Sequence, residues 1–404
     1  MKLSEELQWR GFVNQTTYDD LSALDQEPIS LYFGVDPSAD SMTIGNLAAA
    51  MMVRHFIDHG HNAFLLVGGA TGMIGDPDGK KDERQLKTLD EIAKNKAGIA
   101  AQYQTVFAGK PFTTVDNYDW FKNINYLDFL REVGKNVPLS QMLGRDFVQA
   151  RLGEDGSGIS YAEFSYSLIQ GYDFLHLYRE HGVTLQVCGA DQWGNSITGV
   201  DLIRRITGGE AHVYSTPLVI NKTTGVKFGK SEGGAVWLDS NKTSVYRFYQ
   251  FWLNVDDAGV IDYAKIYTLL TREEIQALAS EHEAHPELRL AQKRLAEEVT
   301  KLVHGEERTA SVMRVTDVLF GGADFASLDA ADIEALAAEI PTSTVGKTAV
   351  EVLVQAGLAS SNGDARRLIG GGAVSLNGEK IAEDQTINAT ALLKKGKNSF
   401  VLVR

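Results

Sequence analysis

Three groups of residues in this sequence have the types and spacing to do chemistry together. The first is Asp40-Ser41-Met42-Thr43-Ile44-Gly45-Asn46. Read as the junction of a strand and a helix, it offers unpaired N–H groups and a positive dipole end, both of which suit phosphate. Gly45 would let a nucleotide approach the backbone closely. Asp, Ser and Thr also begin helices purely as caps, so this segment decides nothing alone. The second group is Lys227-Phe228-Gly229-Lys230-Ser231, between Gly225 and Gly233-Gly234. Two lysines three residues apart on a glycine-rich loop can bring point charges to a polyphosphate while the loop moves. A solvated basic turn has the same composition. Neither this segment nor Gly69-Ala70-Thr71-Gly72 has the spacing of a P-loop. The third group is polar residues in apolar surroundings. Tyr32 lies inside a short apolar run, and Tyr166, Gln170 and Asp173 share one helix face through spacings of four and three. Phe164, Leu168 and Phe174 are their neighbours. If buried, such groups need hydrogen-bond partners. Asp191-Gln192-Trp193-Gly194 follows an apolar run at its carboxyl end, where α/β sheets place ligands.

The elements that must hold these groups are legible in outline. Leu31 to Val35 reads as a buried strand, the recurrence of Ile44, Leu47, Ala48, Met51 and His55 as a helix ending by Gly60, and Ala63 to Val67 as a second strand. Strand, helix, strand in that order is a βαβ unit and points to a parallel sheet. Tyr161 to Tyr178 reads as helix, Thr184 to Cys188 as strand, Asn195 to Ile206 as helix and Pro217 to Ile220 as a late strand. The fold class is therefore α/β with a Rossmann-like parallel sheet over residues 1–235. Helical periodicity follows, giving an α-helical domain over 236–325. An Ala-rich acidic connector is expected over 326–340. A small α+β domain is expected over 341–404, with two short helices, alternating strands and a hairpin signal at Asn377-Gly378.

Composition narrows the function. The chain has 404 residues, 44% hydrophobic and 23% charged, enough for a sizeable core. No run approaches the roughly 18 apolar residues of a membrane span. Met1 to Val13 is polar and amphipathic, without the pattern of a cleaved signal, so a cytoplasmic location is expected. One cysteine, Cys188, excludes an internal disulfide, and with nine scattered histidines it fits no zinc spacing. Cys188 reads as a small buried hydrophobe. No metal-ligating set is expected. The net charge of −14 argues against a general nucleic-acid coat. From Pro341 onward, however, eight basic residues against five acidic ones leave that segment at +3.

Taken in order, these segments resemble a class I aminoacyl-tRNA synthetase, specifically the bacterial-type tyrosyl-tRNA synthetases. The likeness covers almost the whole chain. It is most specific at Leu66 to Pro77, at Asp191-Gln192-Trp193-Gly194-Asn195 and at Lys227 to Ser231. The resemblance implies that Tyr32 and Asp173 hydrogen-bond a substrate phenol. By the same likeness Asp76, Tyr166 and Gln170 hold its α-ammonium, Gln192 faces its carboxylate and Gln186 supports the pocket. Thr43 to Asn46 corresponds to the family's His-x-Gly-His signature for ATP. Gly34, Asp36, Gly45, Asn46, Gly189, Asp191 and Lys230 fall at ATP-binding positions, with Asp191 on the ribose. Ser38, Thr43, Lys227, Lys230 and Ser231 correspond to groups acting on the phosphates, and Lys80 and Arg84 to a second mobile loop on the leaving pyrophosphate. The implied substrates are tyrosine, ATP with Mg2+, and tRNA(Tyr), with no zinc and no membrane. A homodimer is also implied, with one tRNA spanning both subunits; the apolar stretch from Tyr126 to Val148 reads equally as the contact between subunits or as core. The segment from Val350 to Lys380 is similar to an S4 RNA-binding domain, with Arg366 and Arg367 facing tRNA phosphates.

The chain departs from this pattern at three positions. Thr43 and Asn46 stand where the family usually has histidines, and Ser38 where it has threonine. Thr43 is shorter than histidine and carries no charge, so adenylate formation is expected to be slower. Two rivals therefore stay in view: an RNA-binding paralogue with weakened activity, and a tryptophanyl enzyme of the same fold.

Overall fold

The computed structural model describes residues 1–77, 85–153, 156–231 and 234–404, with backbone alone at 146–147 and 230–231. Lys80, Arg84 and Gly233 therefore lie outside the described residues. Internal contacts divide the chain into two compact units. One comprises Met1–Thr243 with Asn254–Val299, the other Ser244–Leu253 with Thr300–Arg404.

The first unit is built on a six-stranded sheet: β1 (Gln15–Thr16), β2 (Ser30–Val35), β3 (Asn62–Val67), β4 (Thr113–Asp116), β5 (Val183–Gly189) and β6 (His212–Thr216), in the order β1-β6-β5-β2-β3-β4. All neighbours are parallel except β1, which pairs antiparallel with β6 at the edge. The chain winds outward from β2 through β3 to β4, then returns to β5 and winds the other way. The strand order thus reverses between β2 and β5, and ligands of such sheets bind beyond the carboxyl ends of the strands at that point.

The helices follow their sequence patterns: α1 (Leu3–Arg10), α2 (Ile44–Asp58), α3 (Thr71–Ile74), α4 (Leu89–Val106), α5 (Tyr118–Phe121), α6 (Tyr126–Glu132), α7 (Leu139–Leu143), α8 (Asp146–Leu152), α9 (Tyr161–His181) and α10 (Trp193–Thr207). Helix α2 is apolar almost all round and buries every residue from Leu47 to Ile57, as a helix packed on several sides must. Arg10, at the end of α1, is also buried. It donates to the carbonyls of Lys265, Thr268 and Leu270 at 2.8, 3.3 and 2.8 Å, satisfying acceptors left open where the helix Val260–Tyr267 ends. Helix α9 starts on the Ser160 cap and stops at Gly182, where φ is 63°.

One expected element moves. Pro217 to Ile220 is not a strand; β6 runs over His212–Thr216 and ends where Pro217 has no N–H to donate. The apolar side chains of Leu218 and Ile220 that suggested a strand are exposed.

In the second unit, helices precede a five-stranded sheet ordered Glu379–Lys380, Val374–Leu376, Ala391–Lys395, Ser399–Val403 and Thr342–Ser343. The helices Ala349–Gln355 and Asn362–Gly370 pack with it around Leu353, Ile369, Leu393 and Val401. Asn377 and Gly378 form the hairpin turn, with φ of 49° and 88°, between the paired residues Leu376 and Glu379. Two positive φ values are what a primed two-residue turn demands. Within the stretch read as connector, Ala330–Ala337 forms a helix started by an Asp329/Asp332 capping box.

Candidate active site

At the switch point a cavity of about 300 Å³ runs from a dry end to an open one. Its buried lining includes Tyr32, Tyr166, Asp173 and Gln186, each no more than 4% exposed. Its exposed lining includes Ser38, Gly45, Asp191 and Lys227. Gly34, Asp36, Thr43, Asn46, Asp76, Gln170, Gly189 and Gln192 line it as well. The structure therefore gathers in one place the candidate residues of all three sequence groups whose side chains it describes. For Lys230 and Ser231 the backbone alone is given, in a two-residue strand paired with Gly234–Ala235.

The dry end is asking for a ligand. Tyr32 Oη, Gln170 Oε1 and Gln186 Oε1 are buried with no partner among the described residues. An unsatisfied buried polar atom costs about 1–3 kcal/mol, so three in one cavity indicate a polar guest. Asp173 faces the same space. Burial pushes its carboxyl well above the usual carboxylate range, against the opposing effect of donors from Asn117 and Trp120. Burial, then the neighbouring Asp173, likewise raises the Tyr32 phenol. Tyr32 Oη makes no bond to Asp173, and both residues line the same cavity. Cys188 also lines this cavity, with its thiol pushed up to about 12 by burial; it is an inert wall.

Two networks that sequence reasoning missed hold these groups. In the first, Asp173 Oδ2 accepts from Asn117 Nδ2 at 3.0 Å and Oδ1 from Trp120 Nε1 at 2.9 Å. Asn117 also donates to Thr71 Oγ1 at 3.0 Å, and Thr71 donates to Asp36 Oδ1 at 2.6 Å. The other oxygen of Asp36 accepts from Tyr166 Oη at 2.6 Å. Asp36, expected at an ATP position, thus orients Tyr166. Gly68 and Gly69 permit this closeness: a Cβ on the first would strike Asp36 and Thr71, and on the second Asp116. In the other network, Gln192 Nε2 donates to Asp76 Oδ2 at 2.6 Å, and Asn195 Nδ2 to Gln192 Oε1 at 3.3 Å. Arg145 in turn holds Asn195, and also donates to Gly194 O at 2.7 Å and Thr198 Oγ1 at 2.9 Å.

At the open end, Thr43 is the N-cap of α2. Its backbone N–H and its hydroxyl both donate to Asn46 Oδ1, at 3.0 Å each. The cap reading and the cavity reading hold together, but the Thr43 hydroxyl is engaged with Asn46. The segment is anchored by Asp40, which pairs with Lys242 at 2.7 Å and Lys94 at 3.0 Å. Those bonds, led by Lys242, pull its carboxyl down to about 2. The chain after the lysine loop runs beside the helix start, with Ile44 N donating to Val236 O and Leu238 N to Met42 O. Gly229, at φ 84°, allows the approach, since a Cβ there would meet Ile44 at 2.6 Å.

The doubly wound sheet and its switch-point cavity, with a buried polar end and an open end that carries Lys227 and Asp191, are those of a class I aminoacyl-tRNA synthetase. Residues 24–321 match the family described as tRNA synthetases class I (W and Y). Residues 332–404 match the tyrosine–tRNA ligase SYY-like C-terminal domain. Tyrosine–tRNA ligase 2 of Bacillus anthracis is 45% identical, with 100% of both chains covered. Tyrosine–tRNA ligase of Levilactobacillus brevis is 44% identical, covering 100% of this chain and 99% of its own. A C-terminally truncated mitochondrial tyrosyl-tRNA synthetase of Aspergillus nidulans superposes with a TM-score of 0.70 at 29% identity, covering 77% of this chain and 92% of its own. The chain belongs to the tyrosine–tRNA ligase family.

Proposed function

We propose that the chain joins tyrosine to ATP as tyrosyl-adenylate, releasing pyrophosphate, and then passes the tyrosyl group to the terminal adenosine of tRNA(Tyr). The observation that carries this reading is the trio of partnerless buried atoms, on Tyr32, Gln170 and Gln186, around Asp173 in the switch-point cavity. A phenol hydroxyl both donates and accepts, so it satisfies Tyr32 and Asp173 together. Phenylalanine would leave the Tyr32 hydroxyl unpaired and bring no donor to Asp173. Sites built to bond a hydroxyl reject the analogue lacking it strongly, a rule for which tyrosyl-tRNA synthetases are themselves the reference example. Asp76, Tyr166 and Gln170 take the α-ammonium, with Gln192 orienting Asp76 and facing the carboxylate. Gln186 supports the pocket.

The tyrosine carboxylate attacks the α-phosphorus and pyrophosphate leaves; no protein nucleophile or base is needed. Rate comes from holding the two reactants in line and from donors and cations on the phosphates. Gly34, Gly45, Asn46, Gly189 and Asp191 form the nucleotide cradle. Ser38, Thr43, Lys227, Lys230 and Ser231 act toward the phosphates, with Lys80 and Arg84 on the leaving group. Mg2+ accompanies ATP as part of the substrate. Among the described residues no group of three or more His, Cys, Asp or Glu is arranged to hold a metal of its own.

Lys227 is exposed, so Lys227→Ala is expected to slow adenylation about ten- to a hundredfold, the worth of one bond to a charged phosphate. Thermal stability should be unchanged; stopped-flow adenylation and a melting curve read the two. Arg366 and Arg367 are exposed on the helix Asn362–Gly370, which fits phosphate contacts. Replacing both with alanine is expected to raise KM for tRNA about tenfold and leave tRNA-free pyrophosphate exchange unchanged.

The chain is read as a cytoplasmic homodimer. Among the described residues no helix is long and apolar enough to cross a membrane. Within the stretch from Tyr126 to Val148, Tyr126, Leu127 and Leu139 are each more than half exposed, which supports a contact there. Sedimentation equilibrium at twice the monomer mass supports this; a monomer at micromolar concentration contradicts it. The Thr43 departure keeps a weakened paralogue in view. Pyrophosphate exchange into ATP with tyrosine, tryptophan and phenylalanine decides: exchange driven by tyrosine alone supports the ligase, and no exchange, or exchange led by tryptophan, overturns it.

A further inference from the structure

The two clamps on Asp173 differ in how firmly they are themselves held. Asn117 is fully buried and fixed by bonds to Thr71 and from the Ala70 N–H at 2.6 Å. Trp120 sits on the four-residue helix α5, just beyond the edge strand β4, and is only half-buried. It borders an open cleft of about 820 Å³, lined also by Lys96, Asp116, Asp119, His176 and His181. The indole packs against the core that includes Tyr32, Leu66 and Phe174. The imidazole of His176 covers it as well: the ring centroids lie 4.4 Å apart and the planes at 22°. His176 is three residues beyond Asp173 on α9, so helix geometry sets the acid and the stacking ring on one face. Tyr172, on the same helix, meets Phe121 of α5 at 5.4 Å. The short helix is thus tied to α9 by two aromatic contacts, and one of them bears on the residue that bonds Asp173.

We propose that His176 is a positioning residue for tyrosine recognition: stacked on Trp120, it keeps the indole N–H on Asp173 Oδ1 and so keeps that carboxyl aimed at the phenol. Burial holds the imidazole below its ordinary pKa. Without it the indole has room to turn into the open cleft, and one oxygen of a buried acid loses its donor. The inference rests on Asp173 being the partner of the phenol.

The test is pyrophosphate exchange by the full chain with tyrosine and with phenylalanine, for wild type, His176→Ala, His176→Phe, Trp120→Phe and the double variant His176→Ala/Trp120→Phe. His176→Ala is expected to raise KM for tyrosine about three- to tenfold, the worth of one stacked aromatic pair. Its kcat should stay within about twofold, and the tyrosine-to-phenylalanine ratio should fall by the same factor as KM rises. His176→Phe restores a flat ring over the indole and should return both values to near wild type. In Trp120→Phe the N–H is already gone, so adding His176→Ala should change the ratio no further. An unchanged ratio in His176→Ala, a His176→Phe as impaired as alanine, or additive losses in the double variant each overturn the proposal. Should the alanine variant not fold, His176→Gln replaces it, and equal KM values for Gln and Phe count against stacking. If wild type itself does not prefer tyrosine, the reading of Asp173 fails instead.

Discussion

Asp173→Asn is expected to lower kcat/KM for tyrosine by about a hundredfold while leaving that for phenylalanine within a few fold. Asp173 is 1% exposed, and both its oxygens already accept, one from Asn117 and one from Trp120. An amide has one acceptor oxygen and one donor nitrogen. Whichever way it turns, its N–H2 faces a donor, and the side chain must shift or leave that donor unpaired. The substrate phenol loses its acceptor, and a buried polar group left unsatisfied costs about 1–3 kcal/mol, or roughly five- to a hundredfold and somewhat beyond. The clash places the result at the upper end. Phenylalanine has no hydroxyl to lose, so discrimination collapses by nearly the whole factor. Steady-state exchange with both amino acids measures it. A tyrosine-to-phenylalanine ratio that survives the substitution contradicts the role given to Asp173.

Thr43→His is expected to raise the adenylation rate about ten- to a hundredfold. Thr43 lines the cavity, but its hydroxyl donates to Asn46 Oδ1 at 3.0 Å. The start of α2 thus presents helix N–H groups without a long cationic side chain reaching for the leaving phosphates. Histidine supplies that reach, and one bond to a phosphate oxygen accounts for the factor. The backbone bond from residue 43 to Asn46 does not depend on the side chain, so the helix start persists. Loss of the hydroxyl bond costs about 0.5–2 kcal/mol of stability, visible as a lower melting temperature and separable from the rate. Rapid-mixing measurement of adenylate formation at saturating tyrosine is the check. An unchanged or slower rate means that other groups have taken over this work.

Why so much of the site was legible is a matter of chemistry and period. Tyr166, Gln170 and Asp173 announce themselves because polar groups at helical spacing among Phe164, Leu168 and Phe174 have to be accounted for. Asn377-Gly378 does so because few residue pairs tolerate two positive φ values. Asn117 and Trp120 carried no such signal. They sit at the N-cap and within the four-residue helix α5, more than fifty residues from the Asp173 they hold, and no periodicity links them to it. The partnership of Arg145 with Asn195 was hidden for the same reason. The role of Asp36 could have been suspected, since an acid at a strand end beside a buried tyrosine needs a donor. The cap role of Thr43 was written in the sequence as Thr43 followed three residues later by Asn46. The misplaced strand at Pro217 to Ile220 came from weighing apolar side chains above the missing proline N–H.

The most direct measurement is diffraction from crystals soaked with tyrosine. The predicted result is density for the substrate in the switch-point cavity, with its phenol oxygen about 2.5–3.0 Å from both Tyr32 Oη and an oxygen of Asp173. A bound tyrosine whose hydroxyl touches neither side chain, or a cavity that stays empty at saturating tyrosine, would contradict it.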